Sequence, residues 1–180
     1  YNNGLIDSDE FDVVTLDGIK HISIVNKNPF NFKVMMGKMI DKINTAFIEY
    51  NNVTYEVLYF NFGVPHAVIF TNEFGNESLG KYISNHSVFE NKTNVNFVQI
   101  LNEKEIKIKT YERGVGFTKA CGTGVAATYQ ILKKLGITNE ESLEITTEGG
   151  KIIAGKNNTG PYIIGPSVYE KDKYSGFNKY

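Results

Sequence analysis

A chain of 180 residues, 41% hydrophobic and 22% charged, has the makeup of a folded globular protein and can bury roughly 70% of the surface its unfolded form would expose. A net charge of -1 gives no electrostatic reason to expect nucleic acid or an anionic membrane as a partner, and a single cysteine excludes an internal disulfide scaffold. No apolar run is long enough to span a bilayer and no signal-peptide pattern opens the sequence, so the reading is a soluble cytoplasmic protein of one domain or slightly more.

In chain order, Tyr1-Asn2-Asn3-Gly4-Leu5 reads as a helix end capped by Gly4, and a chain that begins there without Met is expected to be part of a longer protein. Phe11–Leu16 and Ile19–Val25, joined by Asp17-Gly18, form a hairpin with a tight turn. Asn28-Pro29 breaks the pattern before Phe32–Met36 resumes it. Ile43–Tyr50 and Val53–Phe60 make a second hairpin about Asn51-Asn52. Further strands are expected at His66–Phe70, Asn94–Leu101 and Ile106–Tyr111, the last alternating apolar and polar as a strand with one buried face should. Leu143–Thr147, Lys151–Ala154 and Tyr162–Ile164 complete the set, with Gly149-Gly150 turning between the first two.

Two helices interrupt the strands. One runs from Glu77 to about His86. The other, Gly124–Leu135, repeats Val125, Thr128/Tyr129, Leu132 and Leu135 on one face and closes on Lys133, Lys134 and Gly136. The pattern predicts an α+β fold in which each helix packs into a curved sheet.

Chemistry concentrates in Tyr111-Glu112-Arg113-Gly114-Val115-Gly116-Phe117-Thr118-Lys119-Ala120-Cys121-Gly122-Thr123-Gly124, which runs directly into the second helix. A cysteine just before a helix faces unpaired backbone N–H groups and the positive end of the helix dipole. Both favour thiolate, so the Cys121 pKa is expected to fall toward the range of a base at neutral pH. Gly122 and Gly124 allow close backbone approach to a ligand, and the same N–H groups suit a carboxylate. A base and an anion cradle in one turn fit removal of the α-proton of an amino acid. A lone cysteine by itself is most often a small buried hydrophobe, and a Gly-x-Gly turn before a helix is a weak signal. Glu112-Arg113 alone would read as solvated surface, His66 as a loop histidine making one backbone bond, and Asn94 as a turn or edge residue.

The whole run Glu112-Arg113-Gly114-x-Gly116-x-Thr118-x-Ala120-Cys121-Gly122-Thr123-Gly124 closely resembles the second-cysteine signature of the diaminopimelate epimerase family. Gly63-Val64-Pro65-His66, Asn94-Val95-Asn96-Phe97 and Gly165-Pro166-x-Val168 resemble other segments of that family, in the same order. The resemblance covers nearly the whole chain but only about the last two-thirds of a family member. It implies a diaminopimelate-epimerase-like lobe, a curved and mostly antiparallel sheet wrapped around a central helix. Residues 1–33 would be a remnant of an N-terminal lobe, 34–166 the C-terminal lobe, and 167–180 a segment returning toward the missing lobe.

The resemblance further implies epimerisation of LL-diaminopimelate to the meso form, a lysine and peptidoglycan precursor, by two thiols on opposite sides of the α-carbon. No cofactor and no metal are implied. Cys121 would be one thiol. Gly122 and Thr123 would offer N–H groups to the α-carboxylate, and Arg113 would hold the distal carboxylate with its planar fork. Glu112 would contact a substrate ammonium and, with His66, tune the thiols; Asn94 would hydrogen-bond the distal end. Val64 stands where the family often has Asn, and Phe117 where it often has Glu. The implied partners are a small amino-acid substrate and the missing lobe, and a sheet edge left exposed by that lobe would favour association with a second copy of the chain. A proline-racemase-like enzyme shares the Cys-Gly-Thr-Gly turn, a phenazine-biosynthesis-type isomerase the fold without this cysteine, and a non-catalytic anion-binding domain would use the helix end alone.

Overall fold

The computed structural model describes residues 6–16, 18–38 and 42–167. The expected helix end at Tyr1–Leu5, Asp17 of the first turn and Val168 of the closing motif lie outside the described residues. The strands are β1 (Glu10–Thr15), β2 (Gly18–Lys27), β3 (Phe30–Met35), β4 (Asn44–Tyr50), β5 (Val53–Phe62), β6 (Val64–Phe70), β7 (Asn94–Ile100), β8 (Ile106–Glu112), β9 (Gly116–Thr118), β10 (Ser142–Thr147), β11 (Gly150–Asn157) and β12 (Gly160–Pro166). Helix α1 (Glu77–Ser84) lies between β6 and β7, and α2 (Gly122–Lys134) between β9 and β10. All described strands join one mixed sheet in the order β1-β2-β3-β12-β11-β10-β8-β7-β6-β5-β4, with β9 added to β8.

Where the chain turns, the local sequence explains the turn. Asn51 and Asn52 both take positive φ, 50° and 62°, as a two-residue type I′ hairpin between β4 and β5 requires. Helix α1 starts on Asn76, whose Oδ1 accepts the Leu79 N–H at 2.9 Å. Asn76→Ala is expected to cost about 1 kcal/mol, read from the urea midpoint at constant m. Helix α2 ends in a Schellman closure: the Gly136 N–H donates to Lys133 and the Ile137 N–H to Leu132, with Gly136 at φ +69°.

Two neighbouring pairs in the sheet are parallel, β6–β7 and β8–β10; the other pairs are antiparallel. A parallel pair needs a crossover, and here each helix is one. Because β8 runs antiparallel to β7, right-handed crossovers that step the same way along the sheet place α1 and α2 on opposite faces. The cores follow that division. Leu79 and Ile83 of α1 pack with Ala67, Ile69, Val95, Phe97 and Tyr111, while α2 packs with Val68, Val98, Ile106, Ile108 and Ile145. Strand alternation fixes which residues see which helix.

Helix α2 differs from the expected amphipathic pattern. It begins at Gly122, not Gly124, and every residue from Gly124 to Leu132 is buried, whereas Leu135 is half exposed. The helix packs against β6, β7, β10, β11 and β12, so its surroundings are apolar on more than one side. Among the described residues no helix is long and apolar enough to cross a membrane.

Candidate active site

The site lies where β6 and β7 begin, β8 ends and α2 starts. In β6, even-numbered residues face α2; in β7 and β8 the same face carries Asn94, Asn96, Thr110 and Glu112. His66 sits opposite Asn94 in the parallel β6–β7 register, and Asn96 opposite Thr110 in β7–β8. The alternation therefore brings His66, Asn94 and Glu112 to one end of one face, next to the first turn of α2.

Cys121 is the N-cap of α2, extended at φ -125°, ψ 106°, and its carbonyl accepts the Val125 N–H at 2.9 Å. Its Sγ lies 3.4 Å from the Thr123 hydroxyl, and the thiol is buried. The Thr123 hydroxyl and the N–H groups of Gly124 and Thr123 favour thiolate, as the helix end predicts, without forming a capping bond. Burial outweighs them, and the Glu112 carboxylate adds to it, so the pKa moves up rather than down. The expected fall in the Cys121 pKa is thus corrected: desolvation beats the helix end. A slow reaction with iodoacetamide at neutral pH follows, slower than that of a free thiol compound and accelerating only in alkali; fast labelling at pH 7 would contradict it.

Glu112 and Arg113 are not a solvated surface pair. The Thr118 hydroxyl donates to Glu112 Oε1 at 2.6 Å across the β8–β9 turn. The Arg113 backbone N–H donates to Asn94 Oδ1 at 3.0 Å, and its Nη1 donates to the Asn91 carbonyl at 2.9 Å. Asn94 therefore uses its amide oxygen to pin the end of β8, which leaves its implied contact with substrate to the other amide atom. Thr118 is a matched position of the signature run without a role of its own there, Asn91 is not singled out in the sequence, and nothing in β9, only three residues long, marks it as a strand. Phe117 points the other way, edge-on to Tyr111 and beneath Lys109, in the core under α1.

His66 is a fully buried strand residue rather than a loop histidine. Its Nδ1 faces Asn96 Nδ2 at 3.1 Å and its ring stacks on Phe60. Burial, helped by the positive charge of Arg113, lowers its pKa to about 4. The unfolded value lies near 6.5, so the unfolded chain binds the extra proton first as pH falls. Stability held by neutral His66 is present above pH 6.5 and is lost between there and about 4, by roughly 3 kcal/mol. Comparing the stability of the wild type and His66→Gln across that window isolates this contribution; parallel pH profiles would contradict it.

The loop before α2 is clamped from β10–β11, where the Gly149 N–H donates to the Lys119 carbonyl at 2.6 Å. A side chain at Gly122 would press on Ile163 Cδ1 at 2.9 Å, and one at Gly124 would overlap Asn96 Oδ1. An apolar groove of about 480 Å³ adjoins this loop, with Ala120, Gly149, Ile152 and Ile163 in its wall. Among the described residues no three His, Cys, Asp or Glu side chains group as metal ligands would.

The chain is 34% identical to the diaminopimelate epimerase of Alkaliphilus metalliredigens strain QYMF, over 84% of this chain and 59% of that protein. It is 32% identical to that of Clostridium perfringens strain 13, over 94% of this chain and 66% of that protein. The chain therefore spans about three-fifths of the length of these curated relatives. In fold it is similar to a hydroxyproline epimerase from Agrobacterium vitis solved with bound trans-4-OH-L-proline, with a TM-score of 0.67 at 18% identity, covering 93% of this chain and 61% of that one. The family model described as diaminopimelate epimerase matches residues 58–170, more than half of the sequence and all of the site residues above, and the chain belongs to that family.

Proposed function

We propose that this chain supplies one thiol, Cys121, of a two-thiol acid–base pair that epimerises LL-diaminopimelate to the meso form without a cofactor. The observation that carries the reading is the convergence of Cys121, Glu112, His66, Asn94 and the Arg113 backbone at one end of the sheet, inside the segment that matches the family. One thiolate removes the α-proton while a thiol on the opposite face delivers another, so the protons balance and the stereocentre inverts. The raised Cys121 pKa suits the protonated, delivering form of the thiol in the absence of substrate. The carbanion has to be held by dipoles in a site closed to water, and the first turn of α2 offers Gly122 and Thr123 N–H groups for the α-carboxylate. Arg113 is the residue suited to the distal carboxylate, one of its N–H groups being used to fix it on Asn91.

The 180 residues hold one cysteine, so the partner thiol lies outside them. On this reading residues 1–33 are a remnant of the N-terminal lobe, 34–166 the C-terminal lobe and 167–180 a segment returning toward the N-terminal lobe. A sheet that curves around α2 is part of this reading. Strands lie about 4.8 Å apart, and the reach of one helix to both β6 and β12, five places away, favours a sheet bent around it.

The full-length protein is expected to interconvert LL- and meso-diaminopimelate and to leave proline and hydroxyproline unchanged, followed by chiral chromatography. The isolated 180 residues are expected to be inactive. Turnover by the purified chain that disappears in Cys121→Ser, or inversion of hydroxyproline in place of diaminopimelate, would overturn the assignment.

A further inference from the structure

Beneath the first turn of α2, His66 is held in a chain of buried polar side chains whose other members, Asn96 and Thr110, have no role in the proposed reaction. The Thr110 hydroxyl donates to Asn96 Oδ1 at 3.0 Å. Asn96 Nδ2 donates to the Ala67 carbonyl at 2.9 Å and faces His66 Nδ1 at 3.1 Å. Asn96 and His66 are wholly buried and Thr110 nearly so. The orientation of the Asn96 amide is decided by chemistry: a carbonyl oxygen only accepts, so the atom at Ala67 is the NH₂ and the atom at the Thr110 hydroxyl is the oxygen. The NH₂ group donates its second hydrogen to His66, so Nδ1 is the bare nitrogen and the proton of the neutral ring sits on Nε2. That Nε2 is buried and finds no partner among the described residues.

A buried N–H donor without an acceptor is costly and is kept where something uses it. We infer that Asn96, oriented by the Ala67 carbonyl and the Thr110 hydroxyl, is a positioning residue that fixes His66 as an Nε2–H hydrogen-bond donor to an acceptor brought into the closed site. His66 on this account donates a hydrogen bond and does not act as a base. The groups facing it agree. Arg113 supplies positive charge nearby, Phe60 covers the ring, and Asn96 donates to the nitrogen that would otherwise take up a proton. The close approach of Gly124 to Asn96 Oδ1 and to Thr110 Oγ1, 3.2 Å for an added Cβ, ties the same chain to the turn that carries Cys121. The inference rests on the epimerase reading for the use of the donor, but the tautomer itself does not.

The test is a long-range ¹H–¹⁵N correlation spectrum of the ¹⁵N-histidine-labelled chain, which separates a bare ring nitrogen from one that carries hydrogen. The expected result is a bare Nδ1 and a protonated Nε2 for His66 at neutral pH. In Asn96→Asp the carboxylate accepts where the amide donated, and the two nitrogens exchange their shifts. Thr110→Val, a milder change, leaves the amide pinned on the Ala67 carbonyl, so the wild-type tautomer is expected to persist; a switched tautomer there would overturn the role given to Asn96. A wild-type His66 with hydrogen on Nδ1, or a tautomer unmoved in a folded Asn96→Asp, overturns the inference whatever becomes of the activity. In the full-length protein, His66→Gln, whose amide can donate from the Nε2 position, is expected to retain turnover that His66→Leu loses; equal loss in both would defeat the donor role while leaving the epimerase reading intact.

Discussion

Cys121→Ser is expected to lower turnover of the full-length protein by about 10³-fold or more, with a smaller change in KM. A positioned acid–base group contributes about 10²–10⁴-fold, and a serine hydroxyl is too weak an acid and too poor a base to stand in for a thiol at neutral pH. Serine preserves the size of the side chain, so the helix N-terminus and its packing against β7 and β8 should persist. The loss is therefore chemical. A far-UV spectrum and thermal midpoint close to wild type, together with the lost rate, are the pair of observations required. A Cys121→Ser enzyme that retains most of its rate would reassign the thiol as a buried apolar residue.

The second large effect is on stability. Gly124→Ala places a Cβ against Asn96 Oδ1 and within 3.2 Å of Thr110 Oγ1, in an interior that has no slack. Overpacking of this kind costs about 1–3 kcal/mol, and each kcal/mol lowers the melting temperature of a chain this size by about 2–4 °C. Valine at the same position should cost more. The cause can be isolated because the main obstacle is one side chain: in Gly124→Ala/Asn96→Ala the overlap with Asn96 is gone and only the 3.2 Å contact with Thr110 Oγ1 stays. The double variant should be less destabilised than the two single changes added together, a coupling read from urea midpoints. Strict additivity would mean that Asn96 is not the obstacle to a side chain at Gly124.

Much of the architecture is legible in residue order. Asn51-Asn52, Gly149-Gly150, Gly136 and the alternation of Ile106–Tyr111 each have a local cause, and each stands where that cause places it. Contacts set by register are less accessible. Nothing between His66 and Asn96 in the sequence says that thirty residues apart they share a hydrogen bond; that depends on α1 crossing over to make β6 and β7 parallel. Asn96 lies in the otherwise apolar run Val95–Val98 and looks like an interruption until Thr110 is placed opposite it. Thr118 acquires its role only because β9 folds back on β8.

The Cys121 environment shows the same limit in energetic form. Its position before a helix argues for a lowered pKa, and the N–H groups do act in that direction. How far the thiol is removed from water depends on the packing of α2 into the sheet, which sequence spacing does not reveal, and here it is the larger effect. A thiol that stays protonated until substrate arrives is compatible with a pair in which one member is charged and the other neutral.

The central claim, that Cys121 exchanges a proton at the substrate α-carbon, is tested most directly by turnover in D₂O. With the full-length protein and LL-diaminopimelate, the meso product should carry solvent deuterium at the inverted carbon, and Cys121→Ser should form almost none of it. Deuterated product appearing at the wild-type rate in Cys121→Ser, or meso product that retains its original proton, would contradict the account.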